Sequence, residues 1–429
     1  MTTDAEPHAL TATEALRRIE AGSLSAVEWV VSCHERIQQR EPEIRAWASL
    51  DQRVVEDVTA RTRRGEGPFI PVGAKDIIDV RGLPTGMGTA FHDAAPVARE
   101  GGSVSIMREA GCVFMGKTVT TELGHRHPGP TRNPWNIRHT PGGSSSGSAA
   151  AVADLMVPLC LGTQTSGSVI RPAAYCGVIG YKPTYNDFDK TGVLANAPSM
   201  DTLGILARSI DDVGLLRRIL LEEPEGEILS VALSGLTFGV THARVWETAT
   251  PEVLDLTKNF MGVLASNGAR LVDVHLDTEV SRLLKLHRLI SGYEFRRSIA
   301  FERLHHLGEL SAVLREGRLA DGHLVNVREY QNAILEVADL RLRLAKTFAD
   351  VDILVCPSAA GPALATLETT GDAAFNSAWS LAGNPAITLP LFKASQSGLP
   401  IGCQFIAGTG NDDALLAASK TIMNTFAPG

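Results

Sequence analysis

Apolar residues recur at helical spacing early in the chain, where Val27, Val30, Val31, Cys33 and Ile37 share one face. The pattern predicts two helices in the first fifty residues, each opened by a capping box, Thr11 with Glu14 and Ser25 with Glu28. In such a box a hydroxyl accepts an early backbone N–H and the acid three positions on reaches back. Gly22 falls where the first helix needs a left-handed residue to stop. From about 68 to 209 the texture changes to short apolar runs between glycine clusters. These predict strands at Ile70–Ala74, Val113–Met115, Met156–Leu161 and Val178–Gly180, with helices at Ser103–Ala110 and Ser148–Leu155 between them. Residues 206–350 carry fewer glycines and more charge. Helical periodicity marks Val253–Ala265 and Val327–Phe348 there, with one strand at Arg270–Val274. Strand texture returns at Asp352–Cys356, Ala386–Leu391 and Ile401–Ile406.

Strands alternating with helices indicate an α/β sheet protein. No repeat, low-complexity linker or hinge interrupts residues 1–429, so one domain is expected. It divides into an N-terminal helical segment (1–64), a core bearing the chemistry (65–209), a mainly helical substrate-shaping region (210–350), and returning strands with a C-terminal helix (351–429). Glycines concentrate where loops meet strand ends, which is where such folds place their chemistry.

Composition narrows the function. With 44% hydrophobic and 21% charged residues the chain has enough apolar surface to fold, which excludes a disordered protein. A net charge of −8 with no Lys/Arg block makes a poor polyanion binder, so nucleic acid and anionic membrane are not expected partners. The six cysteines are widely separated with no CxxC pair, the pattern of reduced, buried thiols in a cytoplasmic protein. Met1–Pro7 is polar and acidic, and no apolar stretch reaches the roughly 18 residues of a membrane span, which also points to the cytoplasm.

Three glycine-rich segments compete for the chemistry. Gly111–Thr118 spells G-x-x-x-x-G-K-T, which would make Lys117 a phosphate ligand and the chain an ATP-binding protein. A phosphate loop must follow a strand and open a helix; here a helix precedes Gly111 and the intervening residues are a strand core, so a turn lysine after a strand is expected. Gly143–Gly147 spells G-x-S-x-G around Ser145, the nucleophile elbow of Ser-His-Asp hydrolases. That elbow needs a preceding strand, which Thr140-Pro141-Gly142 cannot supply, and a late histidine, whereas the last one is His323. The third candidate joins Gly73-Ala74-Lys75-Asp76, Gly142–Ser148, and Gly162-Thr163-Gln164-Thr165-Ser166-Gly167-Ser168, continuing through Val169–Gly177 to Lys182-Pro183-Thr184.

In this order and spacing the three segments closely resemble the amidase-signature family, most clearly from about 68 to 206. The resemblance implies a single large mixed β-sheet flanked by helices on both faces. It implies a serine amidohydrolase that uses no metal and no cofactor. Ser168 would be the nucleophile, Ser144 the proton relay, held in a cis peptide after Gly143, and Lys75 the base. The N–H groups of Thr165, Ser166, Gly167 and Ser168 would form the oxyanion hole, and Ser145 and Arg171 would contact substrate. Chemistry explains a set without histidine: an alcohol needs a positioned base, and lysine can serve when burial keeps it largely neutral. Substrates would be small amides, esters or carbamates, and a homodimer is compatible with the family. The rival within the family is the glutamine-using A subunit of a tRNA-dependent amidotransferase.

The sequence departs from the common family spelling at four places. Ser166 stands where glycine is usual, so either the backbone differs or its hydroxyl faces substrate. Gln164 replaces a frequent aspartate. Arg171 follows Ser168 by three positions, as in malonamidase-type members where arginine binds a substrate carboxylate; it could equally brace the helix start before Pro172. His125-Arg126-His127 replaces aromatics and is expected to be pocket wall or surface. Asp76, adjacent to Lys75 on an extended segment, should point away from it.

Overall fold

The computed structural model describes residues 5–92, 94–224 and 226–426. Residues 1–4, part of the polar N-terminus on which the cytoplasmic expectation draws, lie outside the described residues. Ser25 and Glu28 form the complete reciprocal box of the second helix, Ala26–Ile44. Thr11 accepts the Glu14 N–H, but the Glu14 carboxylate turns to Arg17 and Arg18, so the first helix has the cap without the return bond. Gly22 takes a φ of +70° just beyond that helix, as its position demands.

Eleven strands among the described residues form one sheet: β1 (Trp47–Leu50), β2 (Ile70–Lys75), β3 (Cys112–Thr118), β4 (Leu159–Gln164), β5 (Ile179–Lys182), β6 (Thr202–Ala207), β7 (Thr237–His242), β8 (Arg270–His275), β9 (Ile353–Pro357), β10 (Ala386–Lys393) and β11 (Pro400–Ala407). Their spatial order is β1-β3-β2-β4-β6-β5-β10-β11-β9-β7-β8. The sheet is mixed. β2 runs parallel to both β3 and β4, and β7 runs parallel to β8 and β9, while the remaining pairs are antiparallel. Every residue of β2, β3, β6 and β11 is buried, which requires cover on both faces. The edge strand β8 has exposed residues along its length.

Two expectations shift. β4 begins three residues later than the apolar run Met156–Leu161 suggests, because Leu155 (φ +61°) and Pro158 keep the start of that run in a turn. Lys117 is not a turn lysine. It lies within β3, wholly buried, and its Nζ donates to Asp76 Oδ1 (3.1 Å), Pro84 C=O (3.0 Å) and Thr85 Oγ1 (2.9 Å). All six cysteines are buried and free. No helix of the described residues is long and apolar enough to cross a membrane.

Candidate active site

Lys75 ends β2, and its parallel neighbour β4 runs on into the turn Thr165–Ser168. Two of the sequence-derived residues therefore meet at the carboxyl ends of adjacent strands, the position where open α/β sheets bind ligands. The third, Ser144, arrives on the loop before the helix Ser146–Ala153, through a cis Gly143–Ser144 peptide. Gly142 ahead of it has a φ of +80°, and a Cβ there would lie 2.8 Å from Pro172 Cα, so only glycine fits.

Lys75 is fully buried, with Nζ 2.6 Å from Ser144 Oγ and 2.7 Å from Thr163 Oγ1. Asp76 points the other way, to Lys117. Burial, reinforced by the Arg171 charge and opposed by Asp201, pushes the Lys75 amine down to about 7. Near neutral pH a large fraction of it is therefore unprotonated and able to accept a proton.

The Thr165–Ser168 turn is held by its carbonyls. Thr165 C=O accepts from His287 Nε2 (3.0 Å), Ser166 C=O from Ser380 Oγ (2.7 Å), Gly167 C=O from the Arg171 N–H (2.9 Å), and Ser168 C=O from the Ser145 N–H (3.3 Å). By contrast, none of its four N–H groups has a protein acceptor among the described residues. A turn with every carbonyl tied back and every N–H free can present those donors to a single oxygen. The Ser168 hydroxyl also makes no hydrogen bond among the described residues, so Lys75 and Ser144 are bonded to each other while no bond joins Ser144 to Ser168.

Gln164 fixes the exit of the turn. Its Oε1 accepts the Val169 and Ile170 N–H groups (2.9 and 3.0 Å), and its Nε2 donates to Ser380 Oγ (3.1 Å). A neutral amide thus caps the helix Ile170–Cys176 and orients Ser380 toward Ser166. Ser166 has no positive φ, so the added Cβ brings no left-handed strain; its hydroxyl meets His287 Nε2 at 3.2 Å. Because Thr165 C=O can only accept, His287 Nε2 carries the ring proton. Burial and the Arg318 charge hold that imidazole neutral, at about 4. Gly167 is required by a close approach, since a Cβ there would lie 2.3 Å from Asn376 Oδ1.

Two expected substrate contacts look different in place. Ser145 is fully buried, and its hydroxyl pairs with the Thr163 backbone on β4. Arg171 is 4% exposed; its Nη2 donates to Gly143 C=O (2.6 Å) and Thr370 Oγ1 (3.4 Å), and its Nε has no partner. Of the His125-Arg126-His127 run, His125 is buried against Phe295 and the other two are exposed. Glu122 beside them is committed to Ser311, and no cluster of three or more metal-ligating side chains occurs among the described residues. Asp201, His287, Asn376 and Ser380 carry no signal in the sequence. Asp201 accepts from Thr165 Oγ1 at 2.6 Å, and a local pattern shows none of them.

A profile of the amidase family matches residues 28–416. The chain belongs to the amidase family. Among its relatives is the A subunit of the glutamyl-tRNA(Gln) amidotransferase from Desulfosudis oleivorans, 31% identical over 96% of each chain. A solved amidase structure superposes with a TM-score of 0.88 at 29% identity, covering 97% of this chain and all of the other. The peptide amidase of Stenotrophomonas maltophilia superposes with a TM-score of 0.83 at 25% identity over 98% of each chain. Membership of the amidase family accounts for the 11-stranded mixed sheet and for an amide-hydrolysing site in place of a nucleotide site. Lys117, whose three N–H donors are all spent on protein acceptors, has none left for a phosphate.

Proposed function

We propose that the chain hydrolyses a carboxylic amide through an acyl-enzyme on Ser168, with Ser144 as proton relay and Lys75 as base. The observation that carries this reading is the buried Lys75–Ser144 contact of 2.6 Å beside a turn whose N–H groups are all unspent. Ser168 Oγ attacks the carbonyl carbon, its proton passes to Ser144, and the Ser144 proton passes to Lys75. The four N–H groups of residues 165–168 stabilise the oxyanion. Losing one such donor typically costs about a hundredfold or more in rate. As the tetrahedral adduct collapses, the C–N bond breaks and the amine leaves with the proton returned through Ser144. Water then repeats the sequence and releases the carboxylate from Ser168. The Ser144–Ser168 leg tightens when substrate fills the site, as hydrogen bonds of substrate-free enzymes often do.

No step calls on a cofactor. The same acyl-enzyme can form from an ester or carbamate, and another amine can replace water in the second half. Arg171 braces the Gly143–Ser144 peptide through its 2.6 Å bond, a contact that is neither of the two roles open for it from sequence. The region 210–350 reaches the site through His287, which supports its expected part in shaping substrate selection.

The relatives named as amidotransferase A subunits favour a second reading, in which glutamine is the amide and a partner protein receives the ammonia. Both readings share the Ser168 chemistry. A screen of small amides, half-amides of diacids, aryl amides, carbamates and glutamine, with Ser168→Ala as blank, tests them together. Turnover of simple amides by the isolated chain is the expected result. Ammonia release from glutamine alone, with a second protein copurifying, would favour the alternative, and turnover by Ser168→Ala would reject both.

A further inference from the structure

One acid that the chemistry above does not use lies beside both halves of the site. Asp201 directly precedes β6, and the antiparallel register that pairs Gln164 with Thr202 places it opposite Thr165, the first residue of the oxyanion turn. The Thr165 hydroxyl donates to Asp201 Oδ1 at 2.6 Å. Thr165 is thereby tethered twice, by its hydroxyl to Asp201 and by its carbonyl to His287, while its N–H stays free. Asp201 is itself held in place. Its Oδ2 accepts the Asn196 and Ala197 N–H groups (2.7 and 2.8 Å), its own N–H donates to Ala197 C=O (2.9 Å), and its carbonyl accepts from Lys190 Nζ (3.0 Å). Two residues before Thr165, the Thr163 hydroxyl oxygen accepts from Lys75 Nζ at 2.7 Å. Two threonines spaced by two positions thus contact the base and the acid in turn.

The charge matters as much as the tether. When Lys75 takes the relay proton it becomes an ammonium with no carboxylate in contact. A base that turns cationic in a site shielded from water gains from a fixed opposite charge, and an acid that never touches substrate can supply it. Among the described residues, Asp201 is the acid whose charge acts on Lys75, favouring the ammonium, while Arg171 disfavours it. Burial raises the proton affinity of Asp201, and the three hydrogen bonds to its carboxylate and the Lys190 charge oppose that rise. Arg318 also faces Asp201, and Lys190 is shared with Glu294 and Asp189. The Tyr185 phenol beside them is pushed up by burial and stays neutral near neutral pH.

We propose that Asp201 is a positioning residue of this site: through Thr165 it fixes the first N–H of the oxyanion turn, and its carboxylate stabilises the ammonium that Lys75 becomes when the relay delivers its proton. The inference rests on the amidase reading. The test follows kcat and KM against pH on the full chain, with butyramide by ammonia release and p-nitrophenyl butyrate by phenolate release. Thr165→Val removes the tether and leaves the carboxylate. Its kcat is expected to fall about tenfold or more with KM changed less and the acid limb unmoved, and Thr165→Ser should restore most of the loss. Asp201→Asn removes the charge. Its plateau kcat is expected to fall, and its acid limb to move to lower pH by about half a unit or more, because an ammonium without its opposite charge loses its proton more readily. A residue that only held the fold would change the melting temperature and leave the limb where it is. An acid limb at the wild-type position in Asp201→Asn, or a wild-type kcat in Thr165→Val, would overturn the inference. If Asp201→Asn fails to fold, Asp201→Glu keeps the charge and is expected to keep the wild-type limb; a limb displaced to lower pH there would overturn it too. A wild type that cleaves neither substrate would reject the amidase reading and this inference with it, whereas wild-type turnover with an unmoved limb in Asp201→Asn removes this inference alone.

Discussion

Lys75 Nζ and Ser144 Oγ lie 2.6 Å apart with both residues buried, and the only other hydrogen-bond partner of the amine among the described residues is a neutral hydroxyl, Thr163 Oγ1. No carboxylate of the described residues contacts Lys75, and this is what allows burial to lower its proton affinity to about 7. The sign follows directly. Below that value the amine is an ammonium and cannot accept the relay proton. We therefore expect kcat/KM to rise about tenfold per pH unit on the acid side and level off above neutrality. Lys75→Arg should lose activity at every pH, because a guanidinium stays charged. A pH–rate profile on wild type and variant checks both; an acid limb set by a carboxylate near pH 4 would count against Lys75.

Ser168 and Ser144 should separate kinetically. Ser168→Ala removes the bond-forming oxygen and is expected to lower kcat by about four orders of magnitude or more. Ser144→Ala leaves the nucleophile with a poorer proton path and should retain a small measurable rate. Melting temperatures close to wild type in both variants would show that the losses are chemical.

Gln164 connects three elements that share no local sequence pattern. Gln164→Leu strands the Val169 and Ile170 N–H groups and frees Ser380, and should cost about 1–3 kcal/mol of stability together with a drop in kcat. Gln164→Glu restores the acceptor but not the donor to Ser380. It should recover stability more fully than kcat, as read by urea titration and steady-state rates.

Asp76, just past the end of β2, and Lys117 on β3 form a buried pair at 3.1 Å. Asp76→Ala leaves an uncompensated ammonium inside the sheet, with an expected loss of about 3–5 kcal/mol. The double variant Asp76→Ala with Lys117→Met should recover much of that loss. Equal denaturation midpoints for wild type and Asp76→Ala would reject the pair as a stabilising contact.

The three residues assigned to the chemistry are legible because each sits in a glycine-rich segment whose order is preserved in one dimension. The residues that aim the turn are not. His287 and Ser380 reach Thr165 and Ser166 across 122 and 214 positions, and an isolated histidine or serine in a helix carries no local signal of such a role. Lys117 reads as a turn residue because nothing in its own segment reveals Asp76 just past the end of the neighbouring strand. β1, β6 and β7 escape the sequence pattern for a related reason. β1 is four residues long, and Gly204 and Gly239 interrupt the apolar runs of the other two. Gly239 meets Leu354 and Val274, so its absent side chain is a packing requirement that sequence texture does not display. The helical boundaries of residues 251–266 and 327–347, where periodicity is strong, agree with the sequence pattern to within about two residues.

The central claim is that the substrate carbonyl becomes bonded to Ser168, and mass spectrometry of enzyme quenched in acid during turnover of a slowly deacylating aryl carbamate tests it most directly. The account predicts a mass increase equal to the carbamoyl group, located on the peptide that contains Ser168, absent from Ser168→Ala, and released as an N-hydroxyurea when hydroxylamine is present. An adduct on a different residue, or a carbamate still turned over by Ser168→Ala at the wild-type rate, would contradict it.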